Sequence, residues 1–120
     1  MAVVKMINNK SQNIQGLLCV IAYACKDAKT NHDGQQLISG INCVPSLAFD
    51  EFMTTKRLYN QDGGRMFYHM VQSFSPEENI TPEVAHEIAC KLADAIPGFE
   101  IVVATHCDAD HVHSHFVINS

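Results

Sequence analysis

Four of the seven histidines of this chain fall within ten residues, in the run Thr105-His106-Cys107-Asp108-Ala109-Asp110-His111-Val112-His113-Ser114-His115. On a β-strand, residues two apart share a face, so His111, His113 and His115 project together while Val112, Phe116 and Ile118 turn the other way. A hairpin before them folds His106 back toward the same face. Imidazoles that converge in this way hold zinc, manganese or a similar divalent ion and leave coordination positions open for a substrate. Asp108 or Asp110 can accept the ring N–H of a ligand histidine and so fix its tautomer. A single histidine on a strand is ordinarily a surface or hydrogen-bonded residue; three alternating ones beside a fourth are rarely so. Cys107 lies in the turn, which disfavours it as a further ligand.

Tyr23 is the second candidate. Its helix carries an expected apolar stripe of Ile14, Leu17, Leu18, Ile21, Ala22 and Cys25. At 100° per residue Tyr23 points roughly opposite Ile14 and so away from that stripe. A helical tyrosine is most often a core-edge residue, and the same plain reading applies to Tyr59, Tyr68 and His69. In the strand expected over Arg65–Phe74, Phe67, His69, Val71 and Ser73 share one face. Met66, Tyr68, Met70, Gln72 and Phe74 share the other. His69 and Ser73 come next to the histidine cluster if the sheet places these strands together.

The elements that must position these groups follow from periodicity and punctuation. Ala2–Ile7 reads as a strand, and Ser11 is the expected N-cap of a helix reaching Ala24 or Lys26. Lys26–Gln36 reads as a loop and Leu37–Asn42 as a short strand. Pro45 opens a helix carrying Phe49, Phe52, Met53 and Leu58, which ends before Asp62-Gly63-Gly64. Thr81-Pro82 is a cap followed by a first-turn proline, and Val84, Ile88 and Leu92 give that helix its expected apolar stripe. Phe99–His106 and His111–Ile118 are the last strands, and their short connection predicts antiparallel pairing. The order β-α-β-α-β-α-β-β gives an α+β fold, a mostly antiparallel sheet with flanking helices.

The 120 residues suffice for one domain, and the composition is that of an ordinary globular chain. No apolar run is long enough to span a bilayer, so no membrane insertion is expected. No secretory signal or CxxC accompanies the five cysteines, so a reducing cytoplasm is expected rather than a disulfide framework. The formal charge of -5 argues against nucleic acid, because phosphates need Lys and Arg. That charge is uneven. Residues 1–70 carry seven basic and five acidic side chains, whereas residues 71–120 carry one and eight. The acidic half surrounds the histidines, which suits a bound cation. With that cation and the imidazoles supplying local positive charge, DNA binding is again allowed, weak and salt-sensitive.

Three stretches together resemble the N-terminal part of the relaxase/mobilisation nuclease family. Leu17-Leu18-Cys19-Val20-Ile21-Ala22-Tyr23-Ala24-Cys25 is similar to its tyrosine motif. Gly63–Phe74 is similar to its central motif, and His106-x-Asp108-x-x-His111-x-His113-x-His115-Phe116-Val117-Ile118-Asn119 to its histidine motif. Thr54-Thr55-Lys56-Arg57 also resembles these proteins. The resemblance implies the fold of rolling-circle replication nucleases. It implies site- and strand-specific nicking and rejoining of single-stranded DNA at a transfer origin, for plasmid or conjugative-element mobilisation. Tyr23 would form the 5′-phosphotyrosyl intermediate. His106, His113 and His115 would hold a divalent metal ion, Mg or Mn, with Zn as the alternative. His111 would be a spare ligand or a neighbour of the ligands, and Asp108 would orient a ligand ring. Arg65, Tyr68, His69 and Ser73 would lie near the DNA. Relaxosome accessory proteins and a coupling protein would be partners. The chain stops directly after the histidine motif, so it is expected to be the N-terminal portion of a longer catalytic domain.

Two other readings compete. Thr105–His111 is similar to the T-H-x-H-x-D-H signature of metallo-β-lactamase-fold hydrolases, with Asp108 in place of the second histidine. That fold needs a longer chain and has no use for His113 and His115. The third reading is a non-catalytic metal- or DNA-binding domain in which Tyr23 is structural.

Overall fold

A computed structural model describes residues 3–7, 12–32, 34–59, 65–75, 78–107 and 112–119. The elements are β1 (Val3–Ile7), α1 (Ile14–Ala24), α2 (Asp27–Thr30), β2 (Asn31–His32), β3 (Gln35–Gln36), β4 (Ile38–Ile41), a 3-10 turn (Pro45–Leu47), α3 (Ala48–Leu58), β5 (Phe67–Ser73), α4 (Pro82–Asp94), β6 (Ile101–His106) and β7 (His113–Asn119). Five strands form one sheet in the order β1-β5-β7-β6-β4. Every neighbouring pair in it is antiparallel. The α+β class and the pairing of the last two strands are as the sequence predicts.

Alternation along the central strands gives the sheet two buried faces. Val102, Ala104 and Val117 meet Leu17, Val20, Ile21 and Ala24 of α1 and Ala48, Phe52 and Met53 of α3. Ile101, Val103, Phe116 and Ile118 meet Ala89 and Ala93 of α4 on the other face. β6 and β7 are therefore buried on both sides, which holds the hairpin that carries the histidines.

Several local expectations change. The cap of α1 is Asn13, whose side chain accepts the Gly16 amide at 2.7 Å; Ser11 lies outside the described residues. The buried stripe of α1 is Leu17, Val20, Ile21 and Ala24, with Ile14 and Leu18 exposed. The segment read as the loop Lys26–Gln36 contains α2 and a two-stranded β2–β3 pair, so the simple eight-element order is extended. The sequence after Pro45 begins as a 3-10 turn before α3, and Leu58 is exposed. Thr81 caps α4 as expected, accepting the Val84 amide at 3.2 Å. That helix buries Ala85, Ala89 and Ala93 most deeply, because the small side chains let it lie close against the sheet; of the expected stripe Leu92 packs at the edge of this core, Ile88 is half-buried and Val84 is exposed.

Candidate metal and tyrosine centre

The register of the sheet builds the site. His106 stands opposite His113 in the β6–β7 pair, and Ala104 opposite His115. Across the other edge of β7, Ser73 faces His113 and Val71 faces His115. His106, His113 and His115 thus share the face that α1 covers, as alternation predicts. One ligand atom from each lies within 4.8 Å of the others, close enough for a single metal ion to draw on all three. His106 and His115 are buried and His113 is half-buried.

Two of the three rings have a neighbour that sets their orientation. His106 Nε2 donates to the Ala24 carbonyl at 2.9 Å, and since a carbonyl only accepts, the lone pair of that ring is on Nδ1. The bond also ties the triad to the last turn of α1, one residue from Tyr23. His115 Nδ1 is 2.8 Å from His69 Nε2. His115 Nε2 is buried and has no hydrogen-bond partner among the described residues. A buried imidazole nitrogen so placed fits a metal ligand. Burial first, then the neighbouring His106, His69, His113 and Lys29, hold the His115 pKa down at about 3. A neutral imidazole is the form that ligates.

Behind the triad, on the α4 face, Thr105 Oγ1 meets Ser114 Oγ at 2.8 Å and His86 Nδ1 at 2.8 Å. His86 Nε2 meets Ser39 Oγ at 2.7 Å. This chain joins β6, β7, α4 and β4 directly beneath the histidines. Burial lowers the His86 pKa, so that ring is kept neutral as well.

Tyr23 completes the centre. Its ring is 48% exposed and meets His106 edge-on at 5.6 Å and His115 at 5.9 Å between centroids. The Lys29 ammonium lies 5.6 Å from the centre of the tyrosine ring. Lys29 was not legible as a site residue, because its segment reads as a polar loop. α2 brings it in, and the Cys107 amide holds its carbonyl at 2.7 Å. The Cys107 thiol points at the Lys29 and Asn31 carbonyls, outside the histidine set. Burial pushes the Cys25 thiol up to about 11, which keeps it protonated and unreactive.

The remaining sequence candidates divide. Ser73 lies beside His113, and His69 is buried with its Nε2 on His115 Nδ1 rather than offering an exposed surface. Burial, with His106 next, lowers the His69 pKa. Tyr68 is on the opposite face of β5, with the Arg65 guanidinium 5.1 Å from its ring, so this pair is not brought to the triad. Asp108 and His111 lie outside the described residues.

The arrangement is an antiparallel sheet that presents three histidines able to share one metal ion, beneath a helix that carries a half-exposed tyrosine. A sequence model described as "Relaxase: MobA/VirD2-like, nuclease domain" matches residues 23–120, starting at Tyr23 itself. The chain belongs to this relaxase family. It is similar to "Protein rlx" of Staphylococcus aureus, at 37% identity over 121 residues covering all of this chain and 34% of that protein. A second S. aureus "Protein rlx" is 40% identical over 83 residues, 68% of this chain and 25% of that protein. "Group II intron-interrupted relaxase LtrB" of Lactococcus lactis subsp. cremoris (strain MG1363) is 46% identical over 55 residues, 44% of this chain and 10% of that protein. The chain spans no more than about a third of the length of these curated relatives. No solved structure matches it significantly. Family and sheet topology separate it from the metallo-β-lactamase-like alternative. Among the described residues, no helix is long and apolar enough to cross a membrane.

Proposed function

We propose that this chain carries the chemistry of a DNA relaxase, nicking one strand at a transfer origin and rejoining it through a bond between Tyr23 and a 5′ phosphate. The observation that carries this reading is the contact of the half-exposed Tyr23 ring with both His106 and His115. A phosphate lying on the histidine face is within reach of the phenolic oxygen. In the step proposed, the Tyr23 oxygen bonds to phosphorus and the bond from phosphorus to the 3′ oxygen breaks. The phenol loses its proton and the departing 3′ oxygen takes one up. One phosphodiester is exchanged for another, so the step needs no energy source and can run backward to reseal the strand.

His106, His113 and His115 would hold the metal, which when bound would stabilise the charge that builds on the non-bridging oxygens. Three neutral imidazoles suit Mn or Zn better than Mg, whose preference is for oxygen donors. Ala24 and His69 orient two of the three rings. Ser73, Lys29 and the exposed Lys26 offer contacts to the strand, with Arg65 and Tyr68 available to a more distant part of it. Relaxosome accessory proteins and a coupling protein are the partners this role calls for, and the cytoplasm is its compartment.

The test is incubation with single-stranded oligonucleotides spanning the transfer origin of the element that encodes the chain, with Mn²⁺ or Mg²⁺, then a denaturing gel. The reading expects a protein–DNA adduct that chelation abolishes. Metal-dependent cleavage without covalent protein would contradict it and favour simple hydrolysis. DNA binding with neither product would favour the non-catalytic reading.

A further inference from the structure

We propose that the cleft running along α1 from Tyr23 is a nucleobase subsite. Its occupant is the base of the nucleotide whose 5′ phosphate Tyr23 attacks. This rests on the reading of Tyr23 as nucleophile.

The cleft has a volume of about 510 Å³ and opens between α1 and the start of β5, with Tyr23 and His69 in its wall. That is the size of a small-ligand site. The cleft adjoins the histidine face, with Tyr23 and His69 bordering both. Displacement at phosphorus is in line, so the departing 3′ oxygen and its nucleotide lie across the phosphorus from the tyrosine. The nucleotide that keeps the phosphate through its 5′ oxygen is held by an equatorial bond during the displacement and ends tethered to the tyrosine through that phosphate. Its base stays within one phosphate linkage of the phenol, and the cleft lined by Tyr23 lies within that reach.

The lining suits a base rather than a phosphate. Among the described residues it contains no lysine or arginine. Val20 and Phe67 offer an apolar wall for the flat face of a base, and Asn13 and Gln15 bring carboxamides to its edge. The Asn13 Oδ1 atom is committed to the Gly16 amide at 2.7 Å, so what that side chain has left to offer a base is its amide donor. The Gln15 amide reaches only the weak Cys19 sulfur acceptor at 3.5 Å, and its carbonyl oxygen is left to accept. A donor and an acceptor over an apolar wall can tell one base edge from another.

Cys19 lines the cleft and is exposed, whereas the four other cysteines are partly covered. It is a built-in reporter. The experiment follows alkylation of Cys19 by N-ethylmaleimide, read peptide by peptide, with Mn²⁺ and each of the four deoxynucleoside 5′-monophosphates. At least one monophosphate is expected to slow Cys19 several-fold, while inorganic phosphate leaves it unchanged. Gln15→Ala and Asn13→Ser, which keep the helix and its cap, are expected to narrow the preference among bases by about tenfold. Equal alkylation with all four nucleotides, or equal protection by phosphate alone, overturns the proposal. Tyr23→Phe preserves the wall, so protection is expected to survive in it. Protection without any DNA adduct from the unsubstituted chain would sink the nucleophile reading and with it the assignment of this base. An adduct without protection would sink the subsite alone.

Discussion

His69 and His115 are 46 residues apart in sequence, and their rings meet at 2.8 Å, Nε2 to Nδ1. The contact exists because β5 and β7 pair with His69 opposite Val117, two residues along from His115 on the same face. A proton on His115 Nδ1, donated to His69, leaves Nε2 with the lone pair toward the other two histidines. His69→Ala removes that acceptor and frees the ring to turn. Metal affinity is expected to fall by about 10- to 100-fold, the usual cost of losing such a support, and His69→Gln is expected to recover much of it. Competition titration of Mn²⁺ or Zn²⁺ against a chromogenic chelator measures this. Equal affinity in the native chain and His69→Ala would contradict the assignment.

Acid should unfold the metal-free protein earlier than an ordinary surface charge balance suggests. Burial lowers the pKa of His115 to about 3 and also lowers those of His69 and His86, against an ordinary value of 6.5. Between those limits the unfolded chain binds protons that the folded chain refuses, so stability rises with pH. The contribution is complete above about 6.5 and is lost progressively as pH falls below it. The urea midpoint of chelator-treated protein is expected to drop steadily from pH 7.5 to pH 5. A midpoint that is flat or rises over that range would refute the buried neutral histidines.

Lys29 sits 5.6 Å from the Tyr23 ring and beside His115. If it contacts a DNA phosphate, Lys29→Gln should weaken single-strand binding and reduce its salt dependence. The slope of log affinity against log salt should fall by about 0.7 for one lost contact. Fluorescence anisotropy at several salt concentrations measures the slope, and an unchanged slope would remove Lys29 from the DNA surface.

The α4 face offers a test of the fold. Ala89 is wholly buried against the sheet and Val84 is 46% exposed. Ala89→Leu should cost about 1–3 kcal/mol through overpacking, while Val84→Ser should stay within about 0.5 kcal/mol. Thermal or urea unfolding of the two variants decides it, and the reverse order would restore the stripe of Val84, Ile88 and Leu92.

Legibility in the sequence followed the physics of each signal. Period-two alternation and a short connection were enough to bring His106 to the face of His113 and His115, with His111, which lies outside the described residues, counted among them; the choice of three came from the family resemblance. The Thr81-Pro82 cap was legible because its chemistry is local. The α4 face was misread because alanine carries little hydrophobic signal, although its small size is what allows close approach to the sheet. Lys29 and the Ala24 carbonyl were invisible because their roles depend on how α1 and α2 lie across the β6–β7 hairpin. From helical phase Tyr23 was legible only as a residue turned away from its stripe; the family resemblance gave it a role, and its contact with His106 needed the tertiary fold.

The most direct test is therefore the fate of Tyr23. The chain and its Tyr23→Phe variant, matched for metal binding, are incubated with origin-spanning single strands and Mn²⁺, digested with trypsin and nuclease, and examined by mass spectrometry. The native chain is expected to carry a 5′-nucleotide on Tyr23, within the tryptic peptide spanning residues 11–26. The variant is expected to bind metal normally and carry none. An adduct of undiminished yield in Tyr23→Phe, one located on another residue, or none from either chain would contradict the account.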